Sequence, residues 1–313
     1  MIDPCWQILT AIGLDLLCGD PRWFPHPVKG IGRLALHSER FLRRHLPPGP
    51  AGCLAVCWVL LGSVGPVLLL SALAARIHPL LADLVNIVII YTALAIRDLR
   101  AHALRVYAAL ADRDLPRARQ AVAMLVGRDT EHLDESGVAR AAVESVAENT
   151  VDGITAPLLF AFIGGAPGAI FYKAVNTLDS TYGYRNEQYL RFGRCAARLD
   201  DLVNFLPARI TALLVPPAAV VTGLDAGGAW RVFRRDRNKH PSPNGGQIEA
   251  AMAGALRVRL GGENRYFGAA SQRPFLGDDR ENLQAGHILR VVRLMSATTT
   301  LATLAGVLLY QLF

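Results

Sequence analysis

Residues 144–172 read ESVAENTVDGITAPLLFAFIGGAPGAIFY: three carboxylates at four-residue spacing, then an apolar run with a glycine pair and a proline at its centre. A helix needs roughly 20 apolar residues to cross a bilayer, and 154–172 approaches that length. GGAPG at 164–168, however, lets the chain turn, so that two half-helices enter and leave on one face, with neighbouring protein covering the exposed backbone. A single pass would instead put the following segment, with Lys173, Arg185, Arg191, Arg194 and Arg198, on the outer face, against the preference of basic loops for the cytoplasm. The re-entrant reading removes that conflict.

Working outward, the 313-residue chain is 52% hydrophobic and only 19% charged, with a mean hydropathy of +0.27. That composition points to an all-α, polytopic integral membrane bundle, read as one domain over 1–313. Membrane segments are expected at about 5–18, 51–75, 80–96, 154–172 (re-entrant), 205–224 and 294–313. The pair 51–75 and 80–96 forms a hairpin. The N-terminal run carries Asp15 and lacks a basic n-region and cleavage site, so it reads as a retained, partly inserted helix. Five cysteines with no CxxC spacing suggest neither a disulfide framework nor a zinc site. The net charge of +7 is spread through the polar loops without a basic aromatic platform, which argues against nucleic acid. Loops 19–50, 97–152 and 225–290 are arginine-rich and expected in the cytoplasm. Segment 118–149 should form two or three helices, broken at Gly127 and Gly137.

Glu144, Glu148 and Asp152 share a helix face, where like charges cost a few tenths of a kcal/mol per pair. Solvent alone would serve on a wet face. The sharper reading is a divalent cation, since magnesium takes one or two carboxylates and completes its shell with phosphate and water; Asn149 adds an oxygen nearby. Next, Lys173, Asn176 and Asp179 or Ser180 lie three or four apart on one helix face, with Arg185 and Asn186 close behind. Arg209 lies within an apolar run, where a charge is usually paired. In RNKHPSPNGGQIEA, Arg237, Asn238 and Lys239 precede His240, and Asn244, Gly245 and Gly246 open a helix whose free amides suit a phosphate. No GxxxxGK[ST] or GxGxxG motif occurs.

The strings GDPRWFPHPVKGIGR (19–33), the run 127–210, and DRNKHPSPNGGQIEAAMAGALRVRLGGENRYFG (236–268) closely resemble the adenosylcobinamide-phosphate synthases, or cobinamide synthases: CbiB/CobD-type integral membrane proteins of cobalamin biosynthesis. The resemblance spans nearly the whole chain and shows no departure in the motif strings. It implies an acid–amine ligase that uses ATP to join adenosylcobyric acid, through a propionate, to (R)-1-amino-2-propanol or its O-phosphate. ATP and Mg2+ are the implied cofactors. The setting is the bacterial inner membrane with a cytoplasmic active site, and other membrane enzymes of late cobalamin assembly or a second copy of the chain are compatible neighbours. Glu144, Glu148, Asp152, Lys173, Asp179 and His240 are the candidate catalytic side chains, a carboxylate or His240 taking the amine proton. Two other classes compete with this reading: a CDP-alcohol phosphotransferase, whose AR and downstream aspartates are missing here, and a non-catalytic scaffold or transporter of the corrinoid pathway.

Overall fold

Proline sets where the first four helices begin. Pro4, Pro27, Pro48 and Pro79 occupy the first turn of α1 (Pro4–Cys18), α2 (Pro27–Leu42), α3 (Pro48–Ile77) and α4 (Pro79–Ala93). There the missing N–H is one the helix would leave unpaired anyway, and the fixed φ is already helical. The remaining elements are α5 (Ile96–Ala111), α6 (Leu115–Ala123), α7 (Glu135–Thr150), a π-helical turn (Val151–Thr155), α8 (Ala156–Tyr182), α9 (Arg194–Val203), α10 (Phe205–Thr222), α11 (Ala226–Asp236), α12 (Gly245–Leu256), β1 (Arg259–Tyr266), β2 (Ala269–Gly277) and α13 (Ala285–Leu312). This computed structural model describes every residue except Met1, Arg22, Phe24, Pro25, Arg185, Phe267 and Phe313. Among the described residues, five helical stretches are long and apolar enough to cross a membrane: Pro48–Ile77, Pro79–Ala111, Glu135–Tyr182, Phe205–Thr222 and Ala285–Leu312. The chain is thus a helical, multi-pass membrane protein.

Within the span read as one domain, packing forms two compact units. The first comprises Met1–Ala95, Ala156–Asn204 and Gly306–Phe313. In it, α3 and α4 form the hairpin, with His78 ending one helix and capping the next through Nδ1 on the Leu80 N–H at 3.2 Å. The buried carboxylate of Asp83 accepts from the Ile2 N–H at 2.8 Å and from Gln7 Nε2 at 3.0 Å, which ties the N-terminus to α4. At 15 residues, α1 is about 22 Å long by rise per residue, short of the bilayer core.

The decisive feature of this unit is inside α8. Phe160 stacks on Tyr172 with ring centroids 5.5 Å apart, whereas an unbroken helix would separate residues twelve apart by about 18 Å. The chain therefore doubles back. Gly165, at φ 59° and ψ −146°, occupies a conformation that is essentially glycine-only, and a Cβ on Gly168 would lie 2.2 Å from the Phe160 carbonyl oxygen. Pro167 then opens the returning arm.

The second unit comprises Ile96–Thr155 and Phe205–Ala305. Here α5 and α6 pack on α7, and α12, buried along almost its whole length, packs against α7, α10 and α11. Gly137 is no break: its N–H donates to the Asp134 capping carboxylate at 2.7 Å in the first turn of α7. Segment 225–290, expected as a basic loop with one helix start, instead contains two whole helices, the start of α13 and an antiparallel hairpin, β1 with β2, paired from Arg259 with Gly277 to Tyr266 with Ala269. Tertiary contacts hold the hairpin where strand propensity is weak. Gly261 and Gly262 take φ of +89° and +87° to form a bulge, and Arg140 of α7 donates to the carbonyls of Gly261 and Glu263.

Candidate functional site

In the second unit, α7 presents its acidic face to the β-hairpin and to the loop between α6 and α7. Glu144 does not stand free there. Its Oε2 lies 2.8 Å from Nη2 of Arg128, both side chains being less than a tenth exposed, and its Oε1 accepts the Gly261 N–H at 2.8 Å. Arg128 in turn donates to the Asn264 amide oxygen. Glu144 thus ties loop, helix and hairpin together, and the expected set of three carboxylates around one cation is not assembled. Among the described residues no group of three His, Cys, Asp or Glu side chains forms a metal cluster. Asp152 sits half-buried on the π-helical turn and is engaged with a neighbour.

Glu148 remains available. It is exposed and lines a polar cavity of about 170 Å3 with Arg128, Glu144, Asn149, Tyr266 and Arg273. Asn149 donates through Nδ2 to the Ser145 carbonyl at 2.9 Å, which leaves its amide oxygen for a ligand. On β2, Arg273 donates to the Tyr266 hydroxyl at 2.9 Å. Burial works to lower its pKa, but Tyr266, Glu249, Glu148 and Glu144 outweigh that and hold it above the ordinary value, so the cation is secure.

Beside this cluster lies a pair that sequence reading half found. Oε1 of Glu249 on α12 is 3.9 Å from Nε2 of His240, the side chains being 2% and 7% exposed, and both atoms lack a hydrogen-bond partner. Burial, then the charge of Arg273, pushes His240 down to about 4. Burial, then Glu144 and Glu148, raises Glu249 well above the carboxylate range. A neutral imidazole and a carboxyl poised to carry a proton, closed off from water, can exchange that proton with a bound group.

The rest of RNKHPSPNGG does other work. Lys239 lies 2.6 Å from Asp236. Asp236 is buried, a cost outweighed by bonds from Arg235, Lys239 and the Gly277 N–H, which hold its pKa well below the usual range. The guanidinium of Arg237 lies over the Phe233 ring at 5.0 Å, and Asn238 is exposed. Asn244 is buried, with its amide oxygen 3.2 Å from Nη1 of Arg209; that cation also caps the Phe205 carbonyl at 2.7 Å. The amide expected to cradle a phosphate has a protein partner: the Gly245 N–H donates to Ser242 Oγ at 3.2 Å. Glycine is required at 246 because a Cβ would lie 2.5 Å from the Arg237 carbonyl oxygen.

Lys173, Asn176 and Asp179 belong to the first unit, on the returning arm of α8, and each is engaged with a neighbour. Asn186 caps the next turn, its Oδ1 accepting the Tyr189 N–H at 3.0 Å. Arg185 lies outside the described residues. Sequence reading missed Arg128, Arg273 and Glu249. Only Glu249 carried a signal, a lone carboxylate inside the otherwise small and apolar QIEAAMAGAL, because a charge in such a run is rarely buried without a purpose.

No solved structure matches this chain. Among curated proteins it is 49% identical over 303 residues to "Cobalamin biosynthesis protein CobD" of Geobacter metallireducens, covering 96% of this chain and 95% of the relative. It is 45% identical to the Leptospira interrogans protein of the same name over 307 residues, covering 98% of both. It is also 45% identical to "Cobalamin biosynthesis protein CbiB" of Salmonella typhi over 293 residues, covering 92% of both. The CobD/Cbib protein family matches residues 8–295. With its helical membrane fold and near full-length likeness to these relatives, the chain belongs to the CobD/Cbib protein family.

Proposed function

We propose that this protein of cobalamin biosynthesis is an ATP-dependent acid–amine ligase, joining a propionate carboxylate of adenosylcobyric acid to (R)-1-amino-2-propanol or its O-phosphate to give adenosylcobinamide or its phosphate. The names of the relatives support the pathway, and the charge arrangement of the second unit supports the chemistry. A carboxylate is a poor acyl donor and must be activated by phosphoryl or nucleotidyl transfer, so the site needs cations for phosphate charge and an acceptor for the proton that the amine sheds.

The observation that carries the reading is the buried Glu249–His240 pair beside Arg128 and Arg273. Arg273 offers a fixed guanidinium fork to phosphate oxygens. Glu249, in its carboxylate form, takes the amine proton, and His240, 3.9 Å away, steadies the charge. Glu148 and the Asn149 amide oxygen fit a hard cation, since magnesium asks for only one or two protein carboxylates. When bound, it would neutralise phosphate charge. Enclosure by α7, α12 and the hairpin keeps water from the activated acyl group. The bacterial inner membrane, with this cluster on the cytoplasmic side, is the setting the basic loops favour.

The test is direct. Detergent-purified protein is incubated with adenosylcobyric acid, aminopropanol O-phosphate, ATP and magnesium, and products are identified by mass spectrometry. Formation of the amide with consumption of ATP is expected. Corrinoid binding without turnover would refute the ligase reading and favour a scaffold or transporter.

A further inference from the structure

The first unit holds a larger cavity that no step above requires. Its volume is about 790 Å3, within the range usual for small-molecule sites, and it lies where α8 ends and α9 begins. One wall is aromatic. Tyr184 and Tyr189 have ring centroids 6.1 Å apart, and Tyr189 is held by its hydroxyl on Glu39 at 3.2 Å and by the Arg43 guanidinium 5.4 Å from its ring. Gly193 fixes the corner, since a Cβ there would lie 1.8 Å from the Tyr182 carbonyl oxygen; α9 therefore starts pressed against the end of α8.

The lining also carries Arg191, Arg194 and Arg198. Arg194 and Arg198 are four apart on α9 and share a face, with Arg191 just before the helix. All three are exposed, and among the described residues none has an ion-pair or hydrogen-bond partner. Elsewhere in this unit Arg43 pairs with Glu39 at 2.8 Å. Like charges at this spacing repel by a few tenths of a kcal/mol per pair, and among the described residues Asp201 is the single acid lining the cavity. Arginines that merely mark a membrane face point outward into water; these three line a concavity that Tyr184 and Tyr189 also line.

We propose that this cavity binds an organic phosphate. The phosphoryl oxygens sit on the guanidinium groups of Arg191, Arg194 and Arg198, whose planar forks match phosphate geometry, and the body of the ligand lies against Tyr184, Tyr189 and Leu190. A nucleotide and an anionic lipid headgroup both offer this chemistry. The proposal concerns binding alone and stands independently of the ligase reading.

The full-length chain in neutral detergent is tested with two probes: ATP by equilibrium dialysis, and phosphatidylglycerol against phosphatidylcholine by native mass spectrometry. Two variants are compared with the parent. One combines Arg191→Gln, Arg194→Gln and Arg198→Gln; the other, Ala197→Glu, keeps the arginines and puts a carboxylate on their wall. Both should weaken binding of one probe by at least about tenfold, or about 1.4 kcal/mol. Loss of ATP binding identifies a nucleotide, and loss of phosphatidylglycerol binding a lipid headgroup. Failure of the parent to bind either probe, or smaller effects on both probes in Ala197→Glu protein that melts like the parent, overturns the proposal.

Discussion

Replacing Glu144 separates a structural carboxylate from a ligand. The 2.8 Å pair with Arg128 is enclosed, the side chains being 7% and 4% exposed, and removing one partner of such a pair typically costs about 3–5 kcal/mol because the other charge stays buried. Glu144→Leu also strands the Gly261 N–H, now bonded at 2.8 Å, which adds about 1–3 kcal/mol. Glu144→Gln keeps an acceptor for that amide and loses mainly the charge, so it should be the milder change, at about 3 kcal/mol. At about 2–4 °C per kcal/mol, the glutamine variant should melt about 6–12 °C lower and the leucine variant lower still. The double variant Arg128→Met, Glu144→Leu should recover much of the loss, because no charge is left unpaired. Thermal melting of detergent-purified protein, followed by tryptophan fluorescence, reads all three. Melting of Glu144→Gln within about 2 °C of the parent, less than 1 kcal/mol, would refute the reasoning and return Glu144 to the cation.

Glu148, by contrast, makes no hydrogen bond or close ion pair among the described residues and meets Arg273 only through its charge, so Glu148→Gln should lower the melting temperature far less than Glu144→Gln and lower the ligation rate at least about tenfold, or about 1.4 kcal/mol in the barrier; an unchanged rate would remove it from the site. Acid and base should act oppositely on the buried pair. His240 is depressed to about 4, so below its ordinary value of 6.5 the unfolded chain takes up a proton that the folded one refuses, and stability falls between pH 6.5 and 4. Glu249 is raised, so its contribution is present below pH 4.5 and is lost as pH rises above that. Melting curves should therefore show Glu249→Gln losing stability on acidification over this window and His240→Asn gaining it, and parallel pH profiles would contradict the assignment. Gly168→Val should force the two arms of α8 apart, because its Cβ meets the Phe160 carbonyl oxygen at 2.2 Å, giving protein that is poorly folded or inactive; normal yield and activity would argue against the reversal. A cysteine at position 188 should label from the cytoplasmic side, and periplasmic labelling alone would refute the re-entrant reading of 154–172.

Much of the fold is written locally. Proline at the first turn of four helices, apolar runs of membrane length and GGAPG at 164–168 each act within a few residues of themselves, through a fixed φ, a hydrophobic length or a backbone conformation open only to glycine. The hairpin 259–277 escapes such reading. Its sequence is polar and glycine-rich, and Arg140 and Glu144, more than 110 residues earlier, hold it in place.

The candidate site divides the same way. Sequence alone determined that Glu144, Glu148 and Asp152 lie on one acidic stretch, because helical spacing is a local property, and that His240 precedes a helix start. Which carboxylate is spent on structure and which is left for chemistry depends on the partners brought from elsewhere in the chain. Arg128 neutralises Glu144, and the Gly261 N–H takes its other oxygen. Ser242 takes the Gly245 amide and Asp236 takes Lys239, while Glu249 is brought to 3.9 Å from His240. Charge is read from the chain, but its availability is fixed by burial and pairing, and those are properties of the folded protein alone.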